Sequence, residues 1–129
     1  MDNLALRLKE IDKTGVHSLN CSADELRAAV KLAGYLLFEA DLAQVQGKGE
    51  FLAALAKAIT APDWFGHNFD ALADALGEVA PASGYVLLLR NGGDTFGLTI
   101  AERDVVMDIF SGTVAFWKSQ GKAFWIFYC

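Results

Sequence analysis

The amino-acid sequence predicts an α/β fold, a single-domain sandwich in which a small parallel sheet of three or four strands is flanked by helices. Three short apolar runs have the composition of strands that are buried on both faces; they span residues 35–38, 85–89 and 123–128. Helical patterns separate these runs, and strands separated by helices need crossover connections, which pair the strands in parallel. A chain of 129 residues is long enough to bury one core, so we expect residues 1–129 to form one domain.

Residues 1–33 are predicted to add one strand and one helix to this domain. Residues 16–19 form a short run that weakly indicates a strand. Ser22 and Glu25 have the spacing of a capping box, in which both side chains accept hydrogen bonds from exposed amides of the first helical turn. Apolar residues then recur at helical spacing, as expected for a helix that packs on a sheet: Leu26, Ala29, Val30 and Ala33.

Two further helices are predicted in the rest of the chain. The apolar pattern of residues 51–59 indicates a helix that ends near Ala61, because the residue before Pro62 is pushed out of the helical region. A second capping box, formed by Thr99 and Glu102, starts the last helix. Aromatic residues at helical or strand spacing in this part of the chain are predicted to be core: Phe116, Trp117, Phe124, Trp125 and Phe127.

Charge is distributed unevenly along the chain. The formal net charge is −5, and no lysine or arginine occurs between Lys57 and Arg90. Four acids lie in that interval: Asp63, Asp70, Asp74 and Glu78. A local acidic surface argues against a nucleic acid as the ligand and suits a basic protein partner.

The remaining composition indicates a cytoplasmic protein without a membrane segment. The amino terminus has no basic flank followed by an apolar stretch, and no apolar run is long enough to cross a bilayer. Cys21 and Cys129 lie far apart without a CxxC spacing, so we expect two free thiols, no metal and no cofactor.

Residues 62–80 separate into two faces when they are placed on a helix at ~100° per residue. Asn68 is a good N-cap for that helix. Apolar side chains share one side: Phe65, Phe69, Leu72, Leu76 and Val79. Polar and acidic side chains share the other: His67, Asp70, Asp74 and Glu78. Acids at i and i+4 repel each other by a few tenths of a kcal/mol, which lowers the stability of the helix. A pattern with this cost is typical of a site for a cationic partner, although a solvated charged face is the commoner explanation.

An enzymatic interpretation of the same residues is weaker. His67, Asp70 and Asp74 have a spacing that permits a metal or acid–base cluster, but the sequence offers no second ligand cluster nearby and no nucleophile motif such as GxSxG. We therefore expect a binding protein and not an enzyme.

Residues 48–76 combine a predicted helix, a turn with the pattern Pro-acid-aromatic-aromatic-Gly at residues 62–66, and the run Asn-Phe-Asp-Ala-Leu at 68–72 followed by Asp74. This combination closely resembles the barstar family. The likeness continues more loosely through the later strands and the last helix, so that residues 34–129 form the barstar-like region and residues 1–33 an extension.

The resemblance implies a protein inhibitor whose acidic helix and preceding loop occlude the active site of a basic, secreted bacterial ribonuclease. In the family, the acid that matches Asp74 occupies the place of the substrate phosphate, and the acid that matches Asp70 lies beside it. The partner-binding residues carried over by this match are Trp64, Phe65, Gly66, His67, Asn68, Asp70, Ala73 and Asp74.

Three positions depart from the family pattern. Ala73 stands where the family has a tryptophan, Val79 falls near another lost tryptophan, and Phe116 aligns with an interface glutamate. These differences leave two alternatives open: an immunity protein for a different basic toxin, or a protein-binding scaffold that no longer inhibits.

Overall fold

The computed structural model describes residues 4–19, 23–60 and 68–129. Within these residues the chain forms five α-helices, a short 3₁₀ turn at Ile11–Lys13 and four strands. The helices are α1 (Leu4–Arg7), α2 (Ala23–Ala33), α3 (Lys48–Ala58), α4 (Phe69–Leu76) and α5 (Ile100–Ser119). The strands are β1 (Val16–Ser18), β2 (Leu36–Asp41), β3 (Gly84–Arg90) and β4 (Ala123–Tyr128).

The four strands form one parallel sheet with the order β1-β4-β3-β2. β3 and β4 occupy the centre, where Leu87 pairs with Ile126. Nearly every residue of these two strands is buried, which agrees with their continuous apolar sequences. The predicted α/β class and parallel sheet are therefore confirmed, and the sheet has four strands.

Alternate residues of the central strands point to opposite faces and enter two separate cores. On one face, Phe124 and Ile126 of β4 pack with side chains from α3, α4 and α5. On the other, Trp125 and Phe127 pack with side chains from α1 and α2. Because both faces of the sheet are apolar, helices are needed on both sides.

Most predicted elements are present, with small differences at their ends. The Thr99–Glu102 capping box starts α5, with both of its hydrogen bonds formed. The helix α3 ends at Ala58, close to the predicted stop, while Ala61 lies outside the described residues. The helix α1 was not predicted, because four residues are too few to show helical periodicity. None of the helices in the described parts of the chain is long and apolar enough to cross a membrane.

The expectation of two free thiols is wrong, because Cys129 is disulfide-bonded. Cys21 lies outside the described residues. The prediction rested on the large separation of the two cysteines in the sequence, but the strands β1 and β4 are neighbours in the sheet. Leu19 N donates a hydrogen bond to the carbonyl of Tyr128 at 2.8 Å. The segment that follows β1 therefore starts next to the carboxyl terminus.

An ion-pair cluster joins α2 to the edge of the sheet. Both Arg27 Nε and Arg27 Nη2 donate to the carboxylate of Glu39 at 2.8 Å. Arg90 Nε lies 3.3 Å from Glu39 Oε1 but has no hydrogen-bond geometry toward it. The hydrogen bonds from Arg27 hold the pKa of Glu39 below its ordinary value of 4.5. This cluster connects the amino-terminal segment to β2.

We expect the Glu39→Gln variant to be less stable than the wild-type protein at pH 7, and less sensitive to acid. A lowered folded-state pKa means that Glu39 stabilises the fold above the unfolded-state pKa and loses this effect as pH falls through the lower folded-state value. Urea unfolding between pH 3 and 7 measures both effects. Glu25→Gln is the matched control, because Glu25 is an exposed acid of α2 that takes no part in the ion pairs of the described residues. If both variants changed the unfolding free energy and its pH dependence equally, the role of the cluster would be contradicted.

Candidate functional site

The helix α4 begins at a well-formed cap. Asn68 has an extended backbone, and its side-chain oxygen accepts a hydrogen bond from Ala71 N at 2.7 Å. Asparagine is favoured at this position because it satisfies an amide that has no partner within the helix. The predicted N-cap is confirmed, and it fixes where the first turn of α4 starts.

The inner face and the far end of α4 are held by the core and by α5. Leu72, Ala75 and Leu76 are buried against the face of the sheet that carries Phe124. At the end of the helix, Trp117 Nε1 donates to the carbonyl of Leu76 at 3.0 Å. That carbonyl is one of the last four of the helix, which lack intrahelical donors. The helix is thus fixed at both ends and along its buried side.

The outer face of α4 presents Asp70, Ala73 and Asp74 to solvent. Among the residues that the structure describes, no ion pair includes either aspartate. Lys48 lies near the start of α4, but its ammonium group is placed 4.7 Å from the ring centroid of Phe69. Two carboxylates on a fixed helix are therefore available for a positively charged partner.

A groove of about 590 Å³ separates α4 from α5. Asp74 and Glu78 line one side of it, and Asp108 and Phe116 line the other. The described residues that line the groove include no lysine, arginine or histidine. A side chain added at Gly112 would meet nothing within 4 Å, so the wall formed by α5 is open there. The groove extends the acidic face of α4 onto α5.

Phe116 lies at this groove with 45% of its surface exposed, so its prediction as a core residue is wrong. Its ring packs edge-on against Trp117, with 5.0 Å between the centroids. The other aromatic residues of the same prediction are buried or half-buried. Phe116 stays uncovered because the helix that faces this part of α5 ends at Leu76, so that an open groove remains beside the ring.

The helix that was predicted to include Glu78 also ends earlier than expected. The helix ends at Leu76 and Gly77 is its C-cap, so Glu78 follows the helix and does not belong to it. The early end agrees with the low helix propensity of glycine, and Gly77 keeps a right-handed backbone at this stop. Glu78 still reaches the groove from the turn after α4.

The structure describes four of the eight predicted partner-binding residues. Asn68 caps α4, and Asp70, Ala73 and Asp74 share its exposed face. The other four, Trp64, Phe65, Gly66 and His67, lie outside the described residues.

Of the groove residues, Asp108 was missed as a site residue, and Phe116 was predicted to be core although the resemblance aligns it with an interface glutamate. Asp108, Gly112 and Phe116 are spaced by four residues, which places them on one face of α5, but only the contact between helices shows that this face meets α4.

The described residues contain no group of three or more His, Cys, Asp or Glu side chains arranged to hold a metal ion. His67, one member of the cluster considered from the sequence, lies outside those residues. The arrangement on α4 and α5 presents carboxylates and one exposed aromatic ring, which are groups that recognise cations.

Comparison with known proteins agrees with this geometry. No curated protein sequence matched the chain. A protein-family model described as "Barstar (barnase inhibitor)" matches residues 35–129, which include β2, β3, β4 and the helices α3, α4 and α5 that form the acidic face and its groove. The match covers well over half of the chain, and the chain therefore belongs to the barstar family.

Proposed function

We propose that this protein is an inhibitor that binds a basic bacterial ribonuclease and occludes its active site with α4 and the loop that precedes it. The observation that carries the proposal is the pair of exposed aspartates, Asp70 and Asp74, on a helix that is capped, buried on its inner side and bonded to α5. Membership of a family described as barnase inhibitors supports it.

The chemistry of such an inhibitor follows from the substrate of the enzyme. A cleft that binds RNA must carry arginine, lysine or histidine groups for the phosphates, and a carboxylate can form charge-assisted hydrogen bonds with the same groups. Asp74 is the proposed principal contact and Asp70 the secondary one. Because α4 is already fixed in the free protein, binding needs little ordering of the helix.

We also propose that the protein acts by binding alone and works in the cytoplasm, where cellular RNA needs protection. Disulfides are uncommon in the reducing cytoplasm, so the bond of Cys129 is expected to be open there. The cores on both faces of the sheet do not depend on that bond for their packing contacts. Residues 1–33 are proposed to be an integral extension of the barstar-like region, because α1 and α2 cover one face of the sheet.

The direct test is calorimetric titration of the protein into a guanyl-specific bacterial ribonuclease, with RNA cleavage followed in parallel at low and physiological salt. We expect one-to-one binding that abolishes cleavage and weakens as salt rises, since opposite charges meet across the interface. Binding that leaves cleavage intact would contradict occlusion of the active site and favour a scaffold.

The Asp74→Ala variant should bind the ribonuclease more weakly by about 2–5 kcal/mol, because a carboxylate paired with a buried cation is removed. Its unfolding free energy should change by no more than about 0.5 kcal/mol, because Asp74 is exposed and has no ion pair in the described residues. Calorimetry and urea unfolding measure the two quantities.

Asp104→Ala is the matched control for this variant. Asp104 is an exposed aspartate of α5 that does not line the groove and forms no ion pair with a described residue. The variant removes the same charge from a position outside the groove lining and should weaken binding much less than Asp74→Ala does. Equal losses of affinity in both variants would show that total charge, and not the position of Asp74, determines binding.

A second candidate function, immunity against a different basic toxin, is favoured by Phe116. The resemblance aligns this residue with an interface glutamate of the family, and its exposed ring lies in the same groove as Asp74. An apolar ring there suits a partner whose surface offers an apolar side chain or a flat guanidinium group, and it supplies no charge for a pair with a cation.

The Phe116→Glu variant tests this second candidate. If the natural target differs from guanyl-specific ribonucleases, adding a carboxylate to the groove should tighten binding to such a ribonuclease by about tenfold at low salt, which corresponds to ~1.4 kcal/mol. Ala115→Glu adds the same charge on an exposed position of α5 that does not line the groove. Unchanged affinity in Phe116→Glu, or equal tightening in both variants, would remove the argument for a different target.

A further inference from the structure

A second cavity lies on the opposite side of the sheet from α4. It measures about 450 Å³, opens to solvent, and is lined by the amino-terminal segment around α1, by β1 and by β4. Trp125 and Phe127 line it, and these residues belong to the core that α1 and α2 cover, whereas α4 packs on the other core. The cavity is therefore separate from the acidic face of α4. Its volume is within the range of small-molecule sites.

Three aromatic rings line this cavity. The rings of Trp125 and Phe127 are nearly parallel, with an interplanar angle of 4° and 5.7 Å between centroids. The imidazole of His17 lies 5.5 Å from Trp125 and 6.1 Å from Phe127. Trp125 Nε1 donates to the carbonyl of Leu8 at 2.7 Å, which fixes the indole and satisfies its only donor. A planar apolar group is the ligand that such a surface contacts best.

The charged groups around the cavity leave a single unpaired cation. Lys13 Nζ lies 3.4 Å from Glu10 Oε2, so these two charges offset each other. Arg7 also lines the cavity and has no ion pair with any residue in the described ranges. The lining thus has a net charge of +1 in a chain whose net charge is −5. The charge of one guanidinium matches a monoanion.

From these observations we infer that the cavity between the amino-terminal segment and β4 binds a small planar aromatic carboxylate. The ring of the ligand would lie against Trp125, Phe127 and His17, and its carboxylate would accept hydrogen bonds from the guanidinium of Arg7. Arginine suits this task because its planar donors match both oxygens of a carboxylate. Arg7 and His17 both precede the segment that the family model matches, so the site depends on residues outside that segment.

The test uses the full-length ¹⁵N-labelled protein and two probes of nearly equal shape, indole-3-acetate and the uncharged indole-3-acetamide. Amide and indole N–H shifts are followed during titration at low salt. We expect shifts confined to residues 4–17 and 125–127. The acid should bind about tenfold more tightly than the amide, the difference that one charge-assisted hydrogen-bond pair supplies. Absence of shifts in these residues at millimolar probe would overturn the proposal.

Two charge variants separate the role of Arg7 from a general effect of charge. Arg7→Met should remove the preference for the acid over the amide, while Lys9→Met, two residues further along and outside the cavity lining, should keep it. The spectra themselves show whether each variant is folded. Equal preference for the acid in Arg7→Met and wild-type protein would contradict the proposal.

The aromatic part of the site is tested by His17→Ala. His17 is exposed, so its removal is expected to leave the fold intact while removing one of the three rings. Binding of the acid and of the amide should weaken severalfold and by similar factors, since both probes carry the same ring. An unchanged affinity for both would overturn the placement of the ring.

Discussion

The pairing of β3 with β4 is the interaction on which the other elements depend. Both strands are buried on their two faces, and successive residues of β4 point alternately into two different cores. A sheet of this kind leaves apolar surface on both sides, so it is stable only when helices cover each side. The helices α3, α4 and α5 cover the face with Phe124 and Ile126, and α1 and α2 cover the face with Trp125 and Phe127.

The position of α4 shows how burial on one face permits an unfavourable charge pattern on the other. Burying a leucine contributes about 1.5–3 kcal/mol, and both Leu72 and Leu76 are fully buried. Repulsion between two acids one turn apart costs only a few tenths of a kcal/mol. Packing therefore outweighs the repulsion between Asp70 and Asp74, and the protein can keep both carboxylates exposed and unpaired with other described residues.

The two faces of the sheet also separate two kinds of surface. One face presents carboxylates and Phe116 from α4 and α5, and the other presents Arg7 of the amino-terminal segment, which has no ion pair with a described residue, beside the rings of Trp125 and Phe127. Because these surfaces lie on opposite sides of the central strands, a ligand in the second cavity leaves the first surface free. Binding at the two places should be independent unless the strands themselves shift.

Much of the fold could be predicted from the sequence because the signals were local. Continuous apolar runs marked the central strands, and the Thr99–Glu102 capping box and Asn68 marked helix starts through side chains a few residues apart. The helix α1 and the end of α4 were harder to predict from the sequence. A four-residue helix shows no periodicity, and a glycine such as Gly77 can be tolerated within a helix.

The remaining site residues depended on contacts between distant parts of the chain. Phe116 has the sequence pattern of a core residue, and only the groove beside the end of α4 leaves it exposed. Asp108 becomes part of the acidic surface for the same reason. Cys129 was misjudged because the parallel pairing of β1 with β4 places the end of β1 beside the carboxyl-terminal residues.

Amide hydrogen exchange of the free protein and of its complex with a guanyl-specific ribonuclease shows whether the acidic face of α4 meets the enzyme. We expect slower exchange in the complex for residues 68–78 and for the part of α5 from Asp108 to Phe116, with no change in α1 and α2. Protection confined to α1 and α2, or equal exchange in both samples at a saturating concentration of the enzyme, would contradict the claim that the acidic face of α4 covers the ribonuclease.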